Sequence, residues 1–277
     1  MTAGKISTAS ASASGKTRFD DIYDAPDPRA YFRRLAPLDY EIPQHGQEVF
    51  RRTRAERTAA AGGPVTVLDL CCSYGINAAL LNHDLTLADL YARYTGPEAE
   101  ALTTAELIER DKAFYAARRR ADATPAIGLD TAENAVRYAL AVGLLDQAYA
   151  ENLEHVPPST ALSGAVARTG LITVTGGIGY ITHRTFDALL GCARTPLWVS
   201  AFVLRTVSYR PIIASLAAHG LSTEQNRSRT YRQRLFSDPA EQRAAVAQVR
   251  LAGDDPAGLE AEGRYHTRLY QSRPNRD

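Results

Sequence analysis

At 277 residues, with 45% apolar and 23% charged side chains, the chain has the makeup of a globular protein large enough for one α/β domain with additions. A formal charge of +1 excludes the broad basic face that nucleic acid or anionic lipid would demand. No apolar run approaches the roughly 18 residues of a membrane span, and Cys71, Cys72 and Cys192 have neither disulfide-framework nor zinc-ligand spacing, so a reducing cytoplasm and no metal are expected.

Residues 1–18, rich in Ser, Ala, Thr and Gly, are expected to form a disordered tail, and no charged-then-apolar leader opens the chain. Residues 19–61 carry Tyr23, Tyr31, Tyr40 and Phe50 among prolines and charges. Asp27 and Pro28 head one helix of this stretch and Pro43 lies in the first turn of another, so it is expected to be a helical cap whose tyrosines face a substrate. From residue 62 onward strands and helices alternate. Strands are predicted at 65–70, 126–130, 147–150, 171–175 and 197–204, with helices at 76–82, 132–142, 180–190 and 209–219 between them. That alternation predicts a parallel sheet with crossover helices. Residues 231–236 and 265–271 break the pattern as two strands flanking a helix at 239–251, an antiparallel finish to the sheet. Residues 83–121 hold two stretches of helical apolar spacing, an excursion that either covers the site or is a structural addition. Arg118–Arg120 within it is expected to be a solvated helix end.

The chemistry concentrates at strand ends. The run 65–70 passes Asp69 and a loop of small residues, Cys71, Cys72, Ser73, Tyr74 and Gly75, into an apolar helix. Such a strand–loop–helix unit brings backbone N–H groups to a nucleoside cofactor. Asp130, ending the second strand with Thr131 after it, is placed to hold a ribose diol; it also suits a helix cap. A pyrophosphate would need several glycines and free helix N–H groups, and this loop keeps one glycine, which disfavours NAD.

These residues resemble the first two motifs of the class I S-adenosylmethionine-dependent methyltransferases. Asp69 matches the family's acid and Gly75 its last glycine, while Cys71 and Ser73 stand where the first two glycines usually lie. Asp130 matches the ribose-binding acid, and Glu151, Asn152 and Leu153 fall where the family contacts adenine. Thr175, Gly176, Gly177 and Tyr180 occupy the loop that in the family faces the sulfonium and the substrate. The resemblance implies an α/β, Rossmann-like class I methyltransferase fold: a mostly parallel seven-stranded sheet spanning 62–277, with the antiparallel C-terminal finish, N-terminal helical cap and helical insertion already described. It implies S-adenosyl-L-methionine as cofactor. The bland readings stay open: Asn152 as a turn residue, Gly176 and Gly177 as a tight turn, Tyr180 as packing under the cap.

Two chemistries fit. Methyl transfer to a small molecule needs an acceptor and often a base, and the histidines His45, His155 and His183 are uncommitted. The sparse bases and aromatic cap are also similar to the azetidine-2-carboxylic acid synthases of natural-product biosynthesis, in which S-adenosylmethionine is itself the substrate. That resemblance implies release of 5′-methylthioadenosine, with Tyr180 and Asn152 as the groups orienting the α-amine. A cofactor-binding scaffold without catalysis is the third reading. Cys71 as a nucleophile is disfavoured, since small cysteines in such turns usually pack.

Overall fold

A computed structural model describes residues 20–275; the tail expected at 1–18 and Phe19 at the head of the cap lie outside the described residues. Eight strands form one sheet: β1 (Thr66–Leu70), β2 (Ala126–Asp130), β3 (Gln147–Ala150), β4 (Thr169–Val174), β5 (Trp198–Leu204), β6 (Leu221–Gln225), β7 (Tyr231–Leu235) and β8 (Arg264–Pro274). Their order is β3-β2-β1-β4-β5-β8-β6, with β7 off this path and paired to β8. The first five strands are parallel, whereas β8 runs antiparallel to β5, β6 and β7. The fold is Rossmann-like, as the resemblance implies.

The sheet has eight strands where seven are expected, and the last member of its main path does not come from the expected pair. Strand β6 escapes a reading by hydrophobic pattern because it is short and polar; only Leu221 is buried, and its backbone bonds to β8 hold it. The helix Thr160–Val166 was likewise unforeseen, and Ser159 caps it by accepting from the Leu162 N–H. Every residue of β4 and all of β5 after Trp198 are buried, so the centre of the sheet is covered on both faces. One face packs helices Thr160–Val166, His183–Cys192 and Arg210–Ala218 through Leu162, Phe186 and Leu216. The other receives the long helix Ile42–Ala61 through Val49 and Phe50.

A second core lies beyond the sheet, and it decides between the two roles open to the excursion. The excursion, helices Leu87–Thr95, Pro97–Glu100 and Thr104–Ala116, contributes nothing to the wall of the main cavity. It packs behind the cap instead. Phe32 stacks on Tyr94 with ring centroids 4.8 Å apart, Arg29 donates to the carbonyls of Ala99 and Leu102, and Tyr91 Oη donates to Tyr40 O at 2.9 Å. Capping boxes at Thr86/Asp89 and Thr103/Glu106 start two of these helices. At the centre of the layer the buried carboxylate of Asp111 accepts from Tyr94, Tyr138 and Arg93. The excursion therefore acts as a brace that sets where the cap tyrosines stand.

Candidate functional site

Because β1 is flanked by β2 on one side and β4 on the other, the chain diverges above the carboxyl ends of these strands, where open α/β sheets bind ligands. A cavity of about 730 Å³ opens there. It is lined by the loop after β1, Asp130, the cap tyrosines and Gln233 and Arg234 of β7.

The loop after β1 has a backbone built for glycine. Cys71, Ser73 and Gly75 have φ of 57°, 48° and 75°, so three alternate residues are left-handed and two of them carry side chains. Such a conformation costs a non-glycine residue about 1–2 kcal/mol. The turn persists because its N–H groups are engaged: Cys71 N and Cys72 N donate to Leu129 O, Gly75 N to Cys72 O, and Ser73 N to Asp130 Oδ2 at 2.8 Å. Both expected departures from glycine thus keep the geometry of the motif. The loop after β4 passes so close that a Cβ on Gly177 would lie 2.4 Å from Cys71 Sγ, which only glycine avoids.

The two acids have different stations. Asp130 borders the cavity; its Oδ1 accepts from Thr131 N and Ala132 N while Oδ2 takes the Ser73 N–H. It holds the turn before the next helix without capping that helix, whose Asn134 N–H goes to Asp24 Oδ1 instead, and burial pushes its pKa up despite these bonds. Asp69 and Gly75 do not border the cavity. Asp69 sits beneath Asn77, whose Nδ2 donates to Asp69 Oδ1 at 2.9 Å and to Thr175 Oγ1 at 3.1 Å. Burial raises the Asp69 pKa to about 7, against the bonds from Asn77 and Thr173. Asn77, not the acid below it, reaches the wall. Its place just inside the helix after Gly75 was a usable signal.

Beyond β3, Glu151, Asn152 and Leu153 all border the cavity. Glu151 accepts from Ser159 N and Oγ, and Asn152 Oδ1 accepts from Glu154 N, so each also builds its own turn. Glu154, absent from the sequence reading, ties this loop to the start of the helix His183–Cys192 by accepting from the backbone and hydroxyl groups of Thr182 and Thr185. Burial works against its charge, yet those four bonds hold its carboxyl below the usual range.

Four tyrosines meet across the cavity. Tyr31 lies edge-on to Tyr23 and Tyr40, with centroids 5.9 and 6.3 Å away, and the Tyr40 hydroxyl reaches the backbone at Gly176. Tyr180, 39% exposed, stands on the loop after β4 with its N–H bonded to Gly177 O. Burial raises the Tyr40 phenol to about 12 and those of Tyr23 and Tyr31 higher still, so all three stay protonated at neutral pH. Burial likewise keeps the Cys71 and Cys72 thiols protonated. Tyr74 anchors the cap from below, donating to Ile22 O and Ala25 O. Of the three histidines weighed as bases, only His155 borders the cavity, and it is exposed. Gln233 and Arg234 of β7 complete the wall; no sequence motif marks them. Among the described residues no group of His, Cys, Asp and Glu could hold a metal ion, and no helix is long and apolar enough to cross a membrane.

No family model and no curated protein sequence matches the chain. Solved structures do. The plantazolicin methyltransferase BpumL in complex with SAH is 10% identical, with 92% of this chain and 93% of that one covered at a TM-score of 0.45. Magnesium protoporphyrin IX methyltransferase ChlM from Synechocystis PCC 6803 with bound SAM is 15% identical, covering 82% and 79% at 0.37. A functionally unknown protein from Deinococcus radiodurans R1 is 16% identical, covering 91% and 89% at 0.40. At such values the likeness does not extend to activity, and the fold rests on the strand order itself.

Proposed function

We propose that this chain is an S-adenosylmethionine-dependent enzyme that transfers a methyl group to a small molecule, with residues 19–61 as its cap and 62–277 as the cofactor-binding unit. One observation carries the reading: a left-handed turn at residues 71, 73 and 75, bonded to Asp130, faces a ring of neutral tyrosines across a single cavity. Its volume lies within the roughly 300–1,000 Å³ of small-molecule sites. The cofactor supplies a sulfonium whose attached carbons are open to displacement. Asp130 retains lone pairs for a ribose diol, with Thr131 and Ser73 beside it. Asn152 and Leu153, with Glu151 behind them, border the place for adenine. Aromatic faces of Tyr23, Tyr31, Tyr40 and Tyr180 stabilise a cation by about 0.5–2 kcal/mol. Cys71, Cys72, Thr175, Gly176 and Gly177 shape the space between these groups and exclude water. Asp69 acts through Asn77, and Gly75 through the turn. The free thiols of Cys71, Cys72 and Cys192 suit a reducing cytoplasm.

A second reading keeps the same pocket and changes the nucleophile. The buried wall holds protonated phenols and thiols, and His155, which borders the cavity, is exposed. That supports attack by a nucleophile that needs no base from the wall: the α-ammonium of S-adenosylmethionine, acting as substrate, gives one proton to solvent, and the neutral amine attacks its own γ-carbon. The C–S bond then breaks, 5′-methylthioadenosine leaves, and azetidine-2-carboxylic acid forms with the two remaining protons on its ring nitrogen. Tyr180 and Asn152 are the catalytic candidates for either chemistry.

Calorimetry with S-adenosylmethionine tests the common part; no heat of binding removes both readings. Chromatography after incubation separates them. S-adenosylhomocysteine formed only with an added acceptor supports methyl transfer, whereas methylthioadenosine formed without one supports cyclisation. Unchanged turnover in Tyr180→Phe would remove the role of that hydroxyl.

A further inference from the structure

Strand β7 lies outside the main path of the sheet and touches it only through β8. Its register with β8 shifts between Arg232 and Leu235, the stretch that contains Gln233 and Arg234. In a regular strand successive side chains point to opposite faces. Here both are 1% exposed and both border the cavity. Irregularities of this kind re-aim side chains next to binding sites.

The two residues are treated differently. Arg234 is fixed: its guanidinium donates to both oxygens of Glu241, at 3.0 and 2.6 Å, and to Leu235 O, and it lies 5.0 Å from the centre of the Tyr265 ring. Glu241 in turn accepts from Ser237 N and Oγ. Gln233 is anchored only through its backbone, whose carbonyl accepts from Glu41 N at the start of the long cap helix, at 2.8 Å. Its side-chain Oε1 is closed to solvent and has no hydrogen-bond partner. A buried polar atom in that state is costly, and natural structures contain few of them. The contrast with Asn152 is direct: that carboxamide oxygen already accepts from Glu154 N at 3.1 Å, whereas the oxygen of Gln233 accepts from nothing.

We propose that Gln233 is a binding residue for the amino group at the α-amino-acid end of the cofactor, its carboxamide oxygen accepting from that amine. The inference rests on the reading of the cavity as an S-adenosylmethionine site. Asp130 and the 151–153 loop, which take the nucleoside, lie at the β3-β2 end of the sheet, whereas β7 borders the same cavity from its place on β8 toward the other end, which leaves it to the remainder of the cofactor. The Arg234–Glu241 pair holds the irregular stretch of β7 in place.

Calorimetry on the full chain with three neutral-sulfur ligands tests this. The ligands are S-adenosylhomocysteine, its deaminated analogue in which hydrogen replaces the amine, and 5′-methylthioadenosine, which lacks the amino-acid end. The native chain is expected to favour S-adenosylhomocysteine over the deaminated analogue by about tenfold or more, the worth of a hydrogen bond to a charged group. Gln233→Leu is expected to lose that preference while binding the other two ligands within about twofold of the native chain. Gln233→Glu, which keeps an acceptor oxygen, retains it. The ligand-free melting temperature of Gln233→Leu is expected to be no lower than native, because the change removes an unsatisfied buried atom. Equal loss for all three ligands, loss for none, or a lowered ligand-free melting temperature with the preference intact overturns the assignment. If the native chain binds none of the three, the site reading itself fails and the assignment with it.

Discussion

On the sheet side of the cavity, polar groups come from backbone N–H donors and from Asp130, set by short turns within and just after β1 and β2. Elsewhere in its lining they come from side chains supplied by both ends of the chain, Tyr23, Tyr31 and Tyr40 from the cap and Gln233 and Arg234 from β7. The first wall is local chemistry repeated at strand ends. The second exists only because helices and strands distant in sequence are held against each other by Glu41 N to Gln233 O and by the excursion behind the cap. Under the proposed function the difference becomes a division of labour, with the sheet wall for the nucleoside and the assembled wall for the other end of the ligand.

That division can be broken, starting from the largest effect. Glu241→Gln removes the carboxylate charge that faces the buried Arg234 guanidinium and should cost about 3–5 kcal/mol of stability by urea unfolding. A double change to well-packed apolar residues, Arg234→Met with Glu241→Leu, should recover most of it. Asp130→Asn weakens three backbone hydrogen bonds to a charged acceptor and the contact to a ribose. Affinity for S-adenosylmethionine should fall about 100-fold by calorimetry, and a loss under threefold would undo the role of the sheet wall. Tyr40→Leu should weaken binding of the sulfonium form more than that of neutral S-adenosylhomocysteine, the gap being about 0.5–2 kcal/mol. Equal losses would mean that the cap tyrosines only fill space. The smallest change is expected from Ser73→Gly, which relieves a left-handed side chain but frees the unfolded backbone; the melting curve should gain up to about 1 kcal/mol.

The legible parts share a cause. Strands β1, β2, β4 and β5 are mostly apolar because both faces are buried, and the residues alone place them to within two positions, β4 starting at Thr169 rather than at 171. The loop 71–75 was legible as a motif even without its first two glycines, since Asp69, Gly75 and the helix after it set its frame. Its left-handed backbone at Cys71 and Ser73 was not, because a side chain there is disfavoured locally and is tolerated only through the bonds to Leu129 O and Asp130. Strand β6 was missed for a related reason: five mostly polar residues have no burial pattern of their own and take strand form from β8.

By itself the amino-acid sequence determined the alternation of strands and helices, the acid at the end of β2 and the supply of tyrosines in the cap, all of which depend on patterns a few residues long. Tertiary structure alone decided that the excursion braces the cap rather than covering the cavity, that Asn77 screens Asp69, and that Gln233 and Arg234 share one wall. Each of those outcomes turns on contacts between segments far apart in the chain, where neither periodicity nor propensity carries information.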